Sequence, residues 1–122
     1  MRYMLLHCVD ESLALPPKAV EDIDRQLGAW LDDTIARGVS LHGARLHPVH
    51  AATTVRVRED RALVADGPLT ETKEQIGSHN VIEAVDLDEA IEAAARHPTA
   101  RIGTIEIRPV FESWRLDPTW YR

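Results

Sequence analysis

His79 and Asp66 are the two residues whose types most readily support chemistry in this chain. Imidazole is the side chain that normally titrates near neutral pH, so His79 can take or give a proton, and a nearby carboxylate would orient it. Asp66 is the natural second titrating group, although it also opens the turn Asp66-Gly67-Pro68, where an aspartate accepts hydrogen bonds from the amides that follow. Glu106 and Arg108 share one face of a strand, as a ligand clamp or as a structural ion pair. Glu71 and Lys73 lie two apart in a polar loop, either lining a cleft or staying solvated. Arg108 would contact the carboxylate or enolate of a small organic anion.

Other chemistries find less support. The six histidines are His7, His42, His47, His50, His79 and His97, and none forms the His-x-x-x-His or Cys/His pattern of a zinc site. His42 with His47 or His50 could approach a metal on paired strands, but no metal and no cofactor is expected. The sequence contains no nucleophile elbow, phosphate loop or dinucleotide fingerprint. The single cysteine, Cys8, alternates with apolar residues and reads as a buried structural thiol.

The elements that must position these groups can be read in order. Residues 2–9 are apolar and bounded by Asp10-Glu11, a strand buried on both faces or nearly so. Pro16-Pro17 starts a helix over 17–37, with Val20, Ile23, Leu27, Trp30 or Leu31, and Ile35 as its apolar stripe and Gly38 as its stop. A loose strand over 39–49 precedes a hairpin, with Thr53 to Arg58 as one arm and Leu63-Val64-Ala65 as the other. Residues 76–85 favour a strand through Val81, Ile82 and Val85. Asp86 caps an Ala-rich helix that His97-Pro98 closes, and the stretch from Ile102 to Val110 alternates as a last strand.

This β-α-β-hairpin-β-α-β order is that of a ferredoxin-like α+β domain, two helices on one face of an antiparallel sheet. Glu106 and Arg108 would be costly between two dry layers, so the other face is expected to be a wet cavity or a partly polar interface.

The stretch Asp66-Gly67-Pro68-Leu69 with Glu71-Thr72-Lys73-Glu74, then Ile82-Glu83-Ala84, Leu87-Asp88-Glu89-Ala90 and Glu106-Ile107-Arg108-Pro109-Val110, resembles the DGPF branch of the YCII-related superfamily. With the opening Met1 to Leu6, the likeness spans residues 1–112. It implies a dimeric α+β barrel in which two sheets enclose a cleft, and related barrels include isomerase-like and dehalogenase-like enzymes as well as plain ligand-binding modules. Three features depart from the family pattern. Leu69 stands where the motif usually has Phe, Gly77-Ser78-His79 replaces a Gly-Gly-aromatic stretch, and the first helix lacks the histidine of the YCII branch proper.

At 122 residues the chain fits one domain, here 1–112, followed by a tail over 113–122 whose Trp114, Trp120 and Tyr121 suit docking on a partner subunit or over the cleft. A net charge of −6 disfavours nucleic acid, and no apolar run is long enough for a membrane span or full enough for a signal peptide. The expectation is therefore a cytoplasmic homodimer that binds a small molecule, with acid–base chemistry at His79 and Asp66. The alternative is a non-catalytic sensing or interaction module.

Overall fold

The structure is a computed structural model that describes residues 1–116 and 119. Its strands are β1 (Arg2–Asp10), β2 (Ser40–Arg45), β3 (Thr53–Arg58), β4 (Arg61–Asp66), β5 (Glu74–Glu83) and β6 (Thr104–Pro109). Its helices are α1 (Pro17–Ala36), α2 (Leu87–Arg96) and the short α3 (Thr99–Ile102), with a 3-10 turn at Val49–Ala51. A four-stranded antiparallel sheet runs in the order β2-β5-β1-β6, and β3 and β4 form a separate hairpin.

Register sorts the sheet into two faces, because side chains alternate along each strand. Tyr3, Leu5 and His7 on β1 stand opposite Ile82, Asn80 and Ser78 on β5. This face carries the core, where Tyr3, Leu5 and Ile82 pack with Trp30 and Val39 and with Ala90, Ala93 and Ala94 of α2. Small alanines let α2 lie close to the strands. The opposite face holds Met4, Leu6 and Cys8, with His79 and Val81 beside them on β5 and Glu106 and Arg108 on β6. β1 is thus buried on the helix face and half-buried on the other, short of the near-complete burial expected on both of its faces. Cys8 is likewise half-buried, and its thiol is pushed up chiefly by burial, with Glu106 and Glu74 adding to the effect.

Helix α1 starts on Pro17, with Pro16 accepting from the Ala19 and Val20 amides. It stops where Gly38 adopts φ 71° and Val39 N bonds back to Thr34 O at 2.8 Å, the double-turn ending that glycine favours. Its buried line differs from the one expected. Val20 and Ile35 are 52% and 60% exposed, while Trp30 and Thr34 are buried. A threonine can take that place because its hydroxyl donates to Trp30 O at 2.7 Å, leaving no unpaired polar group.

β5 starts two residues before the expected strand, because Glu74 and Gln75 pair with Asp10 and Val9. It stops before Val85, whose amide donates to Glu89 Oε2 and so belongs to the start of α2. Among the described residues, no helix is long and apolar enough to cross a membrane.

Candidate functional site

The richest group of polar side chains gathers where β1 ends. Asp10 Oδ1 accepts from Ser12 N at 2.9 Å and from Ser12 Oγ at 2.6 Å, folding the chain back on itself. Between them, Glu11 receives the Val49 amide on both carboxylate oxygens, at 3.1 and 3.2 Å. That contact ties the 3-10 turn carrying His50 to the end of β1. Gly67 N donates to Ala52 O at 2.8 Å, closing the base of the hairpin against the same turn, and Gly67 needs its φ of 98° to do so.

The loop from Gly67 to Lys73 forms the other wall. Gln75 Nε2 donates to Thr70 O and Thr72 O, and Thr72 Oγ1 donates to Glu74 O at 2.8 Å, so the loop is held by its own polar groups. Lys73 Nζ comes within 3.9 Å of Asp10 Oδ2. The result is a shallow pocket of about 370 Å³ whose walls include Asp10, Ser12, His50, Pro68, Glu71 and Lys73. The Ser12 hydroxyl, then the Ser12 amide, hold the Asp10 carboxyl below its ordinary range, and the Lys73 charge adds to the effect. Asp10 is therefore a fixed anion beside a solvent-exposed cation, with an imidazole on the same wall.

The residues singled out from sequence fall into two places. Glu71 and Lys73 line this pocket. His79, Glu106 and Arg108 lie on the open sheet face instead. His79 and Glu106 both stand directly opposite Leu6, one strand to either side, and Arg108 stands opposite Met4. Strands lie about 4.8 Å apart, so His79 and Glu106 are roughly 10 Å from each other across Leu6. Arg108 Nε approaches Glu106 Oε2 at 3.9 Å, with both side chains more than half exposed, an ion pair of the solvated kind. Asp66 ends β4 opposite Thr53, and no hydrogen bond or ion pair among the described residues joins it to His79.

Asp10 and Ser12 escaped the sequence reading, and His50 entered it only as a possible metal partner of His42. Asp10-Glu11-Ser12 carried a signal, an aspartate two residues before a serine at a strand end, but it registered only as a boundary. His50 carried none, because its 3-10 turn is fixed by the distant Glu11. A wider cavity of about 780 Å³ opens beside Met1, Arg2 and Glu83, with Phe111 to Leu116 along its side. There Trp114 is 99% exposed, so the tail does not bury it within this chain. Trp120 and Tyr121, the other aromatics of the docking expectation, lie outside the described residues.

An antiparallel sheet ordered β2-β5-β1-β6 with helices packed on one face is a ferredoxin-like α+β fold. A family model for the YCII-related domain matches residues 1–114, and the chain belongs to that family. An uncharacterized protein of Rhizobium meliloti is 35% identical over 114 residues, which cover 90% of this chain and 92% of that protein. Among solved structures, 5-chloro-2-hydroxyhydroquinone dehydrochlorinase from Burkholderia phenoliruptrix, in complex with 2,5-dihydroxybenzoquinone, is similar with a TM-score of 0.52 and 15% identity. That likeness covers 93% of this chain and 96% of the other, and it is one of fold.

Proposed function

We propose that this protein binds a small organic molecule in the pocket between the end of β1 and the 66–75 loop and performs cofactor-independent acid–base chemistry on it, of the isomerase or dehalogenase kind. The observation that carries the reading is the convergence there of Asp10, His50 and Lys73 with the Gly67-Pro68 turn. Within the YCII-related family we place the chain in the DGPF branch, on Asp66-Gly67-Pro68-Leu69 and the Glu71-Thr72-Lys73-Glu74 that follows.

Each group has a role in this reading. His50 exchanges a proton with the ligand as its general acid or base. Asp10 stays ionised and accepts a hydrogen bond from a ligand hydroxyl. Lys73 meets the negative oxygen that develops when a proton leaves a carbon or hydroxyl group. In this reading Asp66 makes the turn, and His79 with Glu106 and Arg108 forms a second polar patch on the open face.

One observation favours binding without turnover. No carboxylate hydrogen-bonds to His50 or His79 among the described residues, so neither ring is held as an oriented base. A thermal-shift screen of small phenols, enols and carboxylic acids identifies ligands, because a compound that binds only the folded state raises its apparent stability. His50→Ala is expected to abolish turnover of a hit while leaving its binding within a few-fold, and Lys73→Ala to weaken both. Shifts that persist unchanged in Lys73→Ala and Asp10→Ala would place the ligand elsewhere. Binding with no turnover by the wild-type protein would favour the sensing module.

A further inference from the structure

Most of the hydrogen-bond donors around the pocket at the end of β1 are already spent within the protein. The Ser12 hydroxyl donates to Asp10 Oδ1 and the Thr72 hydroxyl to Glu74 O, so neither has a proton left for a ligand. The side-chain amide of Gln75 donates to Thr70 O at 2.7 Å and to Thr72 O at 3.0 Å. On the opposite wall, Glu11 takes the Val49 amide. The side-chain donors that stay open are the Lys73 ammonium and a ring N–H of His50.

The unspent acceptors are carboxylate oxygens. Asp10 Oδ2 is met by Lys73 alone, at 3.9 Å, which is too long for a hydrogen bond. Glu71 makes no hydrogen bond or ion pair among the described residues. The carboxylates of Asp10, Glu11 and Glu71 line the pocket against the one ammonium of Lys73, so the field inside it is negative. Its volume of about 370 Å³ is small for a ligand site and suits a molecule of about one ring.

We infer that the ligand of this pocket is a small hydrogen-bond donor that carries no negative charge, a polyhydroxyl compound or a hydroxylated amine, which gives its protons to Asp10 Oδ2 and Glu71. The inference rests on the pocket being the ligand site, and it narrows the ligand class there. A carboxylate or phosphate would bring acceptors to a wall of acceptors and charge to a negative field, with Lys73 alone to meet it. The two remaining sources differ at Lys73, which leaves a hydroxyl undisturbed and repels an ammonium from Asp10.

Three probes that share one ring test this at pH 7: 1,3-dihydroxybenzene, 3-hydroxybenzoate and 3-hydroxybenzylamine. Amide shifts of Ser12, His50 and Lys73 in nitrogen-15 spectra of the whole protein report binding in this pocket. Dihydroxybenzene and hydroxybenzylamine should each bind there more tightly than hydroxybenzoate, by about tenfold or more at low salt. The tighter of the two identifies the donor as hydroxyl or ammonium. Asp10→Asn with Glu71→Gln, checked for an unchanged circular dichroism spectrum, should narrow the gap by letting hydroxybenzoate bind more tightly. Hydroxybenzoate binding at these residues as tightly as the other two, or a gap unchanged in the double variant, would overturn the inference and leave the pocket as the site. No shift at these residues with any of the three probes would overturn the site, and the inference with it.

Discussion

His7 and His97 stack face to face in the core, with ring centroids 4.0 Å apart and 22° between their planes. Trp30 meets His97 edge-on at 4.8 Å, and the two histidines are 1% and 3% exposed. Each imidazole is held neutral chiefly by burial. His97 Nδ1 accepts the Thr99 amide at 3.1 Å at the start of α3, so a proton there would cost that bond. His7 Nε2 bonds Asn80 Oδ1 at 2.7 Å, while His7 Nδ1 is buried without a partner among the described residues. Charging either ring would set a cation against the other in a site with no counter-ion among the described residues. Burial, then the neighbouring His7, pushes His97 down to about 3, and burial likewise lowers His7 against the opposing pull of Asn80.

This pair should make the fold sensitive to acid. For His97 the unfolded chain binds a proton below about 6.5 and the folded chain only below about 3. Between those values the unfolded state holds more protons, so stability is complete above the window and falls as pH drops through it. The slope is at most about 1.4 kcal/mol per pH unit for each such group. Urea melts at pH 7, 5.5 and 4 should show falling midpoints, and His97→Phe should flatten the fall. A wild-type midpoint that does not move between pH 7 and 4 would contradict the buried neutral pair.

Two glycines make an opposed pair of predictions. A Cβ at Gly103 would stand 2.1 Å from the Cys8 carbonyl oxygen, which is backbone and cannot move aside. Gly103→Ala is expected to cost about 1–3 kcal/mol or more by overpacking the junction of α3, β1 and β6. A Cβ at Gly28, inside α1, meets nothing within 4 Å. Gly28→Ala should therefore stabilise by up to about 1 kcal/mol through helix propensity. Denaturant midpoints of the two variants should move in opposite directions.

The cap of α2 gives a smaller effect. Asp86 Oδ1 accepts from Glu89 N at 2.9 Å, satisfying one of the amides that a helix start leaves free. Asp86→Ala is expected to lower stability by about 1 kcal/mol, while Asp86→Asn, which keeps the acceptor, should lose much less. Equal losses in the two variants would point to charge rather than capping.

These effects show which features could be read from the sequence. Asp86 with Glu89, Pro17, Gly38 and the alternation of β6 are local signals, and each gave its element within a few residues. Thr34 in place of Ile35 in the buried line of α1 was missed although its support is local, because an apolar periodicity does not count a threonine whose hydroxyl bonds the carbonyl four residues back. The 3-10 turn at Val49–Ala51 was hidden because Glu11 holds it from 38 residues away, whereas α3 rests on a near contact, the Thr99 amide to His97 Nδ1, behind the His97-Pro98 stop. The candidate site divides in the same way. Glu71 and Lys73 lie in the recognisable motif, whereas Asp10 and His50 join it only once β1 and the hairpin base are in place.

Asp10 is the group through which the site's electrostatics can be tested without a ligand. Its carboxyl is lowered first by the Ser12 hydroxyl and then by the Ser12 amide, with Lys73 the last contributor. The order follows from distance: the hydroxyl lies at 2.6 Å and the ammonium at 3.9 Å, on a side chain 86% exposed and so screened by water and salt. In a carbon-13 titration, Ser12→Ala should raise the Asp10 value clearly, and Lys73→Ala should raise it less. Moderate salt should erase the Lys73 effect and leave the Ser12 effect in place. The reverse order would mean that Lys73 closes over Asp10 more tightly than 3.9 Å, and the pocket's anion would then be neutralised before any ligand arrived.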